Sequence, residues 1–156
     1  MKFADFFAGQ VIEAGPHMVT EDELVGFARQ WDAQWFHTDA QAAAEGVFGG
    51  LIASGWHTCS IAMRLVVEAA LEGSESFASP GLQYLRWPHP VRPGDALRLR
   101  AEVIEVLRDP ARPRLGTVRW RWQLFNQQGA EVLDAGVTSL FRLSARGVPL
   151  GRSSRS

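Results

Sequence analysis

Residues 54–71 read SGWHTCSIAMRLVVEAAL, the most apolar helix candidate in the chain. Their apolar side chains cover most of the circumference of a helix, and a helix that is apolar on nearly all sides is usually buried. The polar residues fall on one stripe at spacings of three and four: His57, Ser60, Arg64 and Glu68. Arg64 and Glu68 can pair on that stripe. Gly73 is a natural stop, so the stretch predicts one long, buried helix.

Strand-like segments occupy the chain after this helix. Apolar and polar residues alternate there, as they do in strands with one buried and one solvated face. The segments are residues 81–87, 96–107, 117–125 and 131–143. Pro93-Gly94-Asp95 forms a turn after the first segment, and residues 126–129 close a hairpin before the last. We expect four consecutive antiparallel strands.

The region before the long helix predicts a strand and then a helix. Residues 6–19 form a broken extended segment of the kind found near the edge of a sheet. Thr20, followed three residues later by Glu23, makes a capping box, and apolar residues then recur at helical spacing. We therefore expect a helix over residues 21–31 and a loop over residues 32–38.

An alanine-rich segment at residues 39–45 predicts a second, shorter helix, capped by Thr38. Together the elements are one early strand, a helical region, one long buried helix and four antiparallel strands. A helix that is apolar on all sides needs a sheet that curves around it. The predicted fold is α+β of the hot-dog type, an antiparallel sheet wrapped around one long central helix.

Length and composition fit one globular domain. The 156 residues are 46% hydrophobic and 21% charged, which argues against a disordered or membrane class. We assign residues 1–146 to the domain and residues 147–156 to a polar tail. The net charge of −1 gives no long-range field that would attract nucleic acid or an acidic membrane.

Cysteine usage and the N-terminus point to a cytoplasmic protein. Cys59 is the only cysteine, so no intrachain disulfide can form, in agreement with a reducing compartment. The N-terminus has no uninterrupted apolar segment like that of a secretory signal, and no stretch reaches the length of a membrane span. The dispersed histidines show no metal-ligand spacing, and we expect neither a metal nor a cofactor.

Residues 32–39, DAQWFHTD, resemble the D-x-N-P-x-H signature of MaoC-like (R)-specific enoyl-CoA hydratases. Three flanking segments agree in the same order: VTEDE at 19–23, FGGLIASG at 48–55 and PVRPGDAL at 90–97. The last is similar to the family's P-V-x-x-G-D-x-L turn. The resemblance extends from Phe6 to Leu143. It implies a hot-dog homodimer that acts on an acyl-CoA or another acyl thioester.

The chain departs from this family pattern in three places. Gln34 and Trp35 stand where the family has asparagine and proline, so the amide is one methylene longer and a bulky ring replaces a rigid turn. Ser54 stands where a histidine usually precedes the helix glycine. The acid and the imidazole of the signature are kept, and the departures bear on the range of substrates.

Asp32 and His37 are the candidate catalytic residues. Water is a poor nucleophile that needs a positioned base, and the α-carbon of the substrate then needs a proton. A carboxylate and an imidazole five residues apart on a loop can converge on one water, and which of them is the base stays open. Gly55, at the N-terminus of the long helix, is the candidate amide donor to the thioester carbonyl, because glycine lets the substrate approach the backbone closely.

The residues around this constellation are the candidate substrate-binding residues: Gln34, Trp35, Phe48, Gly49, Ser54 and Trp56. We expect Trp35 and Trp56 to line and narrow an acyl tunnel. Charge alone suggests Arg86 or Arg92 for the phosphates of coenzyme A. His17 and His89 lie beside prolines in turns and are expected to be structural, and His57 to be packed or at an interface.

The expected function is the reversible hydration of a 2-enoyl-CoA to a 3-hydroxyacyl-CoA, and other interpretations stay open. In one alternative interpretation, Asp32 only caps or ends the first helix, and His37 is a residue of a surface loop. An acyl-CoA thioesterase on the same fold typically carries an acid on the long helix, where the only acid is Glu68, far from Gly55. A non-catalytic acyl-binding subunit is the third possibility.

Overall fold

One antiparallel sheet of six strands dominates the computed structural model, which describes residues 1–144. The strands are β1 Val11–Met18, β2 Ser76–Ala78, β3 Leu82–Arg86, β4 Ala96–Arg108, β5 Leu115–Phe125 and β6 Glu131–Arg142. β1 pairs with β4, which pairs with β5, which pairs with β6, and β2 and β3 both pair with β6. The predicted edge strand and the four later strands are confirmed. The short β2 was not predicted, and the proposed polar tail lies outside the described residues.

The helices are α1 Glu21–Trp31, α2 Trp35–Thr38, α3 Ala40–Ala44 and α4 Gly55–Val66, and α4 continues as a π-helical turn at Val67–Leu71. The order of elements confirms the α+β hot-dog fold, in which the sheet packs against α4. Within residues 1–144, no helix has the length and apolar character needed to cross a membrane.

Two local predictions in the helical region were wrong. Residues 32–38 are not all loop, because residues 35–38 form the single helical turn α2. The cap of α3 is Asp39 rather than Thr38: an Asp39 carboxylate oxygen accepts from the Ala42 amide at 3.0 Å. The Thr38 hydroxyl donates instead to the Gln34 carbonyl, also at 3.0 Å, and so stabilises α2.

Helix α4 is buried on one side only in the single chain. Ile61, Leu65 and Val66 belong to the core, whereas Trp56 and Met63 are exposed. The prediction of a helix buried on all sides is therefore wrong for one chain by itself. The expected pair of Arg64 and Glu68 forms on the exposed side, with Nε and Oε1 2.9 Å apart.

The segment that leads to β4 is fixed against the start of α4. The Ala53 amide donates to the Val91 carbonyl at 2.8 Å. Asp95 is buried, and its carboxylate accepts from the Arg92 amide at 2.9 Å and from Gln127 at 3.0 Å. Gly94 has a φ of +88°, which the turn requires and which glycine adopts at little cost. The predicted turn is thus confirmed, and it holds residues 87–91 beside the N-terminus of α4.

Candidate active site

The structure brings Asp32 and His37 into contact. Asp32 ends α1, where its amide donates to the Ala28 carbonyl, and His37 lies on α2. His37 Nε2 is 3.2 Å from Asp32 Oδ2, and the two side chains are only 6% and 18% exposed. Both interpretations of Asp32 therefore hold: it terminates the helix and it faces the imidazole. His37 is buried, so the alternative interpretation, in which it is a surface residue, is wrong.

The imidazole of His37 is oriented by a contact at Nδ1. Nδ1 is 2.6 Å from the Ile52 carbonyl oxygen. A carbonyl only accepts, so Nδ1 must carry a hydrogen, and Nε2 is left to exchange a proton with its surroundings. Nε2, 3.2 Å from Asp32 Oδ2, is the ring nitrogen that faces the carboxylate.

Gln34 and Ser54 surround the Asp32 carboxylate. The Gln34 side-chain amide donates to Asp32 Oδ1 at 2.7 Å. This bond does most to hold the pKa of Asp32 below its ordinary value, with smaller contributions from the Ser54 hydroxyl and from His37, while burial acts in the opposite direction. The Ser54 hydroxyl is buried and completes no hydrogen bond of normal geometry within residues 1–144. The structure thus places these two predicted substrate-binding residues against the carboxylate.

A cavity of about 260 Å³ opens beside His37. Its walls include Gly55 and Phe48, as the sequence predicted, and also Thr58, Trp87 and His89. Asp32 is not part of the lining and reaches the cavity through its contact with His37. The cavity therefore brings together the imidazole of His37 and the N-terminus of α4.

The Gly55 amide is available to a ligand. It is the first residue of α4, where backbone amides have no partner within the helix. Among residues 1–144 we find no hydrogen bond from this amide. An anionic or developing negative charge is favoured at such a helix end. The side of Gly55 on which a Cβ would stand is occupied, because a Cβ built there would lie 2.5–2.8 Å from three ring carbons of Trp87.

The other predicted binding residues lie away from this cavity. Trp35 packs over Gly46 and lines a separate apolar pocket of about 230 Å³. Gly49 is in a turn with a φ of +66° and lines neither cavity. Trp56 faces a third cavity, on the other side of Trp87, and contacts the Trp87 ring.

The two arginines suggested for phosphate binding are both engaged within the chain. The Arg92 guanidinium donates to the Phe48 carbonyl at 2.6 Å. The Arg86 guanidinium lies 5.3 Å from the centre of the Tyr84 ring, a cation–π distance. Arg92 consequently braces the segment that carries Phe48 at the cavity wall.

Sequence reasoning missed several wall residues of the cavity, of which Trp87 and His89 carry aromatic rings. Trp87 and His89 belong to the connection W-P-H-P between β3 and β4. His89 Nδ1 is 3.0 Å from the Glu131 carbonyl, so the expected structural role is present, yet its ring also lines the cavity. The proximity of Trp87 to Gly55 is a tertiary contact over 32 residues, which no local pattern reports.

The other two histidines share one carboxylate. His17 Nε2 and His57 Nε2 lie 2.8 and 3.3 Å from the same oxygen of Glu23. His57 is buried and stacks on Phe27 with 4.8 Å between ring centres. Burial lowers the pKa of His57, against the opposing effect of Glu23. The predicted packed role of His57 agrees with these contacts.

Comparison with known proteins settles the family. The model of the MaoC like domain matches residues 6–120, well over half of the chain. This chain belongs to the MaoC-like dehydratase family. The MaoC-like dehydratase of Rhodospirillum rubrum superimposes with a TM-score of 0.83 at 33% identity, over 90% of this chain and 96% of that one.

Two curated relatives of this MaoC-like chain differ in how much is known of them. Uncharacterized protein YdeM of Bacillus subtilis (strain 168) is 30% identical over 91% of this chain and 99% of its own length. The 3-hydroxyacyl-thioester dehydratase Z of Mycobacterium tuberculosis (strain ATCC 25618 / H37Rv) is 33% identical over 56% of this chain and 60% of its own length. The family includes hydro-lyases of acyl thioesters.

Proposed function

We propose that this chain is a hydro-lyase that reversibly hydrates a 2-enoyl thioester, carried on coenzyme A, to the 3-hydroxyacyl thioester. The single observation that carries the proposal is the 3.2 Å contact between Asp32 and His37 at the wall of a cavity that also contains the N-terminus of α4. A relative named a 3-hydroxyacyl-thioester dehydratase supports the same reaction class.

The proposed reaction passes one proton from water to the substrate through this pair. A water beside His37 and Asp32 loses a proton to the pair as its oxygen attacks the β-carbon, and the pair returns a proton to the α-carbon. The thioester oxygen, which becomes negative as the enolate forms, accepts a hydrogen bond from the Gly55 amide. The Ile52 carbonyl fixes the ring so that Nε2 faces the reacting atoms. Atoms balance, because one water is added and no proton is gained or lost overall.

Gln34 and Ser54 are positioning residues in this proposal. Their donors favour the ionised form of Asp32, and Gln34 fixes the orientation of the carboxylate through Oδ1, which leaves Oδ2 to face His37. Gln34 therefore takes over, with a longer side chain, the place that asparagine has in the family signature.

Hydration of crotonyl-CoA tests the proposal. We expect loss of the enoyl absorbance without release of free thiol, together with the reverse reaction from 3-hydroxybutyryl-CoA. Thiol release with the double bond intact would show a thioesterase instead. A thioesterase of this fold would need an acid of the long helix close to the thioester at Gly55. Glu68 lies 13 residues after Gly55, roughly 20 Å along the helix axis, and pairs with Arg64, so the structure does not favour a thioesterase.

We also propose that the protein is a homodimer joined along β3. Within residues 1–144, β3 pairs with β6 alone, so its other edge has free backbone groups. Exposed apolar side chains lie on this strand and on the segments around the site, at Trp35, Phe48, Trp56 and Leu82. A second copy that extends the sheet across this edge would cover both features. A cytoplasmic location stays a prediction.

A further inference from the structure

Two cavities lie on either side of the first turn of α4. The cavity beside His37 includes Gly55 and Thr58. The second, an apolar groove of about 330 Å³, includes Trp56 and Cys59. Its remaining walls are apolar side chains of α4 and of β3, β5 and β6, such as Met63, Leu85, Trp122 and Leu133. Adjacent stripes of one helix thus face two different cavities.

Trp87 lines the His37 cavity and also contacts Trp56, a wall of the apolar groove. Its ring packs directly on Gly55, leaving no room for a side chain there. The same ring reaches Cys59, one helical turn later. Burial raises the pKa of the Cys59 thiol, and the hydrogen bond with Trp87 opposes that rise. The indole therefore lies along α4 between Gly55 and Cys59.

Trp56 and the backbone hold Trp87 in this position. The two indole rings meet edge to face, with 5.6 Å between centres and an angle of 81°. Pro88 and Pro90 follow Trp87, and proline fixes its own φ and restricts the residue before it. The ring consequently lies at the first turn of α4, where residues of the His37 cavity and of the apolar groove alternate along the helix.

We propose that Trp87, braced by Trp56, is a specificity-determining residue that restricts the enzyme to short acyl thioesters. The inference rests on the proposed function, because it assumes that the thioester carbonyl binds at the Gly55 amide. An acyl chain extending from that point meets the indole ring instead of the groove. The remaining space, about 260 Å³, lies below the roughly 300–1,000 Å³ usual for drug-sized ligands.

Binding of saturated acyl-CoA compounds tests the inference without any need for turnover. Dissociation constants of butyryl-CoA and dodecanoyl-CoA are measured for the wild type and for Trp87→Ala. Each methylene that becomes buried is worth up to about fourfold in affinity. We expect the ratio of dodecanoyl-CoA to butyryl-CoA affinity to rise at least about tenfold in Trp87→Ala. Phe77→Ala, which removes an exposed aromatic ring on β2, should leave the ratio unchanged.

Cys59 provides a second readout, because the only thiol of the chain lines the groove beyond Trp87. In Trp87→Ala, dodecanoyl-CoA should slow the alkylation of Cys59 by N-ethylmaleimide, whereas butyryl-CoA should not. In the wild type neither compound should protect it. Trp87→Leu, which keeps an apolar contact with Gly55, replaces the alanine variant if that variant does not fold.

The outcomes separate this inference from the proposed function. An unchanged affinity ratio, or protection of Cys59 by dodecanoyl-CoA in the wild type, would overturn the role of Trp87. The expected ratio without any hydration of crotonyl-CoA would support the role of Trp87 and contradict the hydratase. Failure of both compounds to bind to either protein would overturn both proposals.

Discussion

At the scale of single residues, the site depends on hydrogen bonds that fix which atoms face one another. The Ile52 carbonyl binds His37 Nδ1, and the Gln34 amide binds Asp32 Oδ1. The remaining nitrogen and the remaining oxygen are then 3.2 Å apart. Two neighbours, the Ile52 carbonyl and the Gln34 amide, thus decide the geometry of the carboxylate and the imidazole.

The pH dependence of activity should respond to Gln34. Its amide is the largest cause of the lowered pKa of Asp32, so Gln34→Leu should raise that pKa. A carboxylate is ionised above its pKa, and activity that needs the ion is lost as the pH falls through it. The acid limb of the kcat/KM profile should therefore move to higher pH in Gln34→Leu. Gln30→Leu, on the exposed surface of α1, is the control, and an unmoved limb in Gln34→Leu would contradict the assignment.

Gly55 and Gly26 should respond in opposite ways to the same added methyl group. A Cβ at Gly55 would overlap the Trp87 ring, and overpacking of this kind costs about 1–3 kcal/mol. A Cβ at Gly26 meets nothing within 4 Å, and alanine in a helix interior is favoured over glycine by about 0.5–1 kcal/mol. Urea unfolding should show Gly55→Ala destabilised and Gly26→Ala unchanged or stabilised. Equal stability of the two variants would mean that Trp87 is not packed on Gly55.

At the scale of elements, one carboxylate joins β1, α1 and α4. Of the two hydrogen bonds of the capping box predicted from Thr20 and Glu23, one forms: the Thr20 hydroxyl accepts from the Glu23 amide at 3.1 Å. The Glu23 side chain does not return to Thr20 but binds His17 on β1 and His57 on α4. A tertiary contact has therefore replaced the local one, which spacing alone does not reveal.

Stability should fall in weak acid because of His57. Burial lowers its folded-state pKa, so below its unfolded pKa of about 6.5 the unfolded chain binds more protons than the folded chain. The contribution of His57 is present above this pH and is lost as the pH falls toward the folded-state pKa. His57→Phe, which keeps a ring stacked on Phe27, should flatten the dependence of Tm on pH between about 7 and 5. In the control variant His89→Phe, Tm should still depend on pH as in the wild type. An unchanged pH dependence of Tm in His57→Phe would exclude His57 as its cause.

Elements with strong local patterns were predictable, and those that depend on distant contacts were not. Alternation identified β4, β5 and β6, and the cap at Thr20 identified α1. β2 has three residues, too few for a period to be recognised. α2 lacks the residues that signal a helix start, since Gln34 makes no side-chain cap bond. For the same reason the Asp32–His37 motif was visible in the sequence, but the contact of Trp87 with Gly55 was not.

At the scale of the whole molecule, residues 1–144 of one chain leave apolar surface uncovered. The exposed side of α4 and the free edge of β3 both carry apolar residues, Trp56 and Leu82 among them. The all-round apolar pattern of residues 54–71, which overstated burial in the single chain, is explained if a second copy covers the remaining side.

A charge at Leu82 should disrupt the proposed dimer. Leu82 is exposed at the start of β3, so Leu82→Glu would place a charge in the proposed interface. Light scattering after size-exclusion chromatography should give twice the chain mass for the wild type and a shift toward the chain mass for Leu82→Glu. Leu107→Glu, at an exposed position near the end of β4, should remain dimeric. A monomeric wild type would remove the proposed interface.

The central claim is that the Asp32 carboxylate and the His37 imidazole act together on water. The most direct test compares kcat for hydration of crotonyl-CoA in Asp32→Asn and in a control variant, Asp39→Asn. Asp39 caps α3, and asparagine preserves that cap. We predict a loss of at least about 100-fold in Asp32→Asn with the fold retained, and near wild-type kcat in Asp39→Asn. A folded Asp32→Asn protein that hydrates crotonyl-CoA at the wild-type rate would contradict the account.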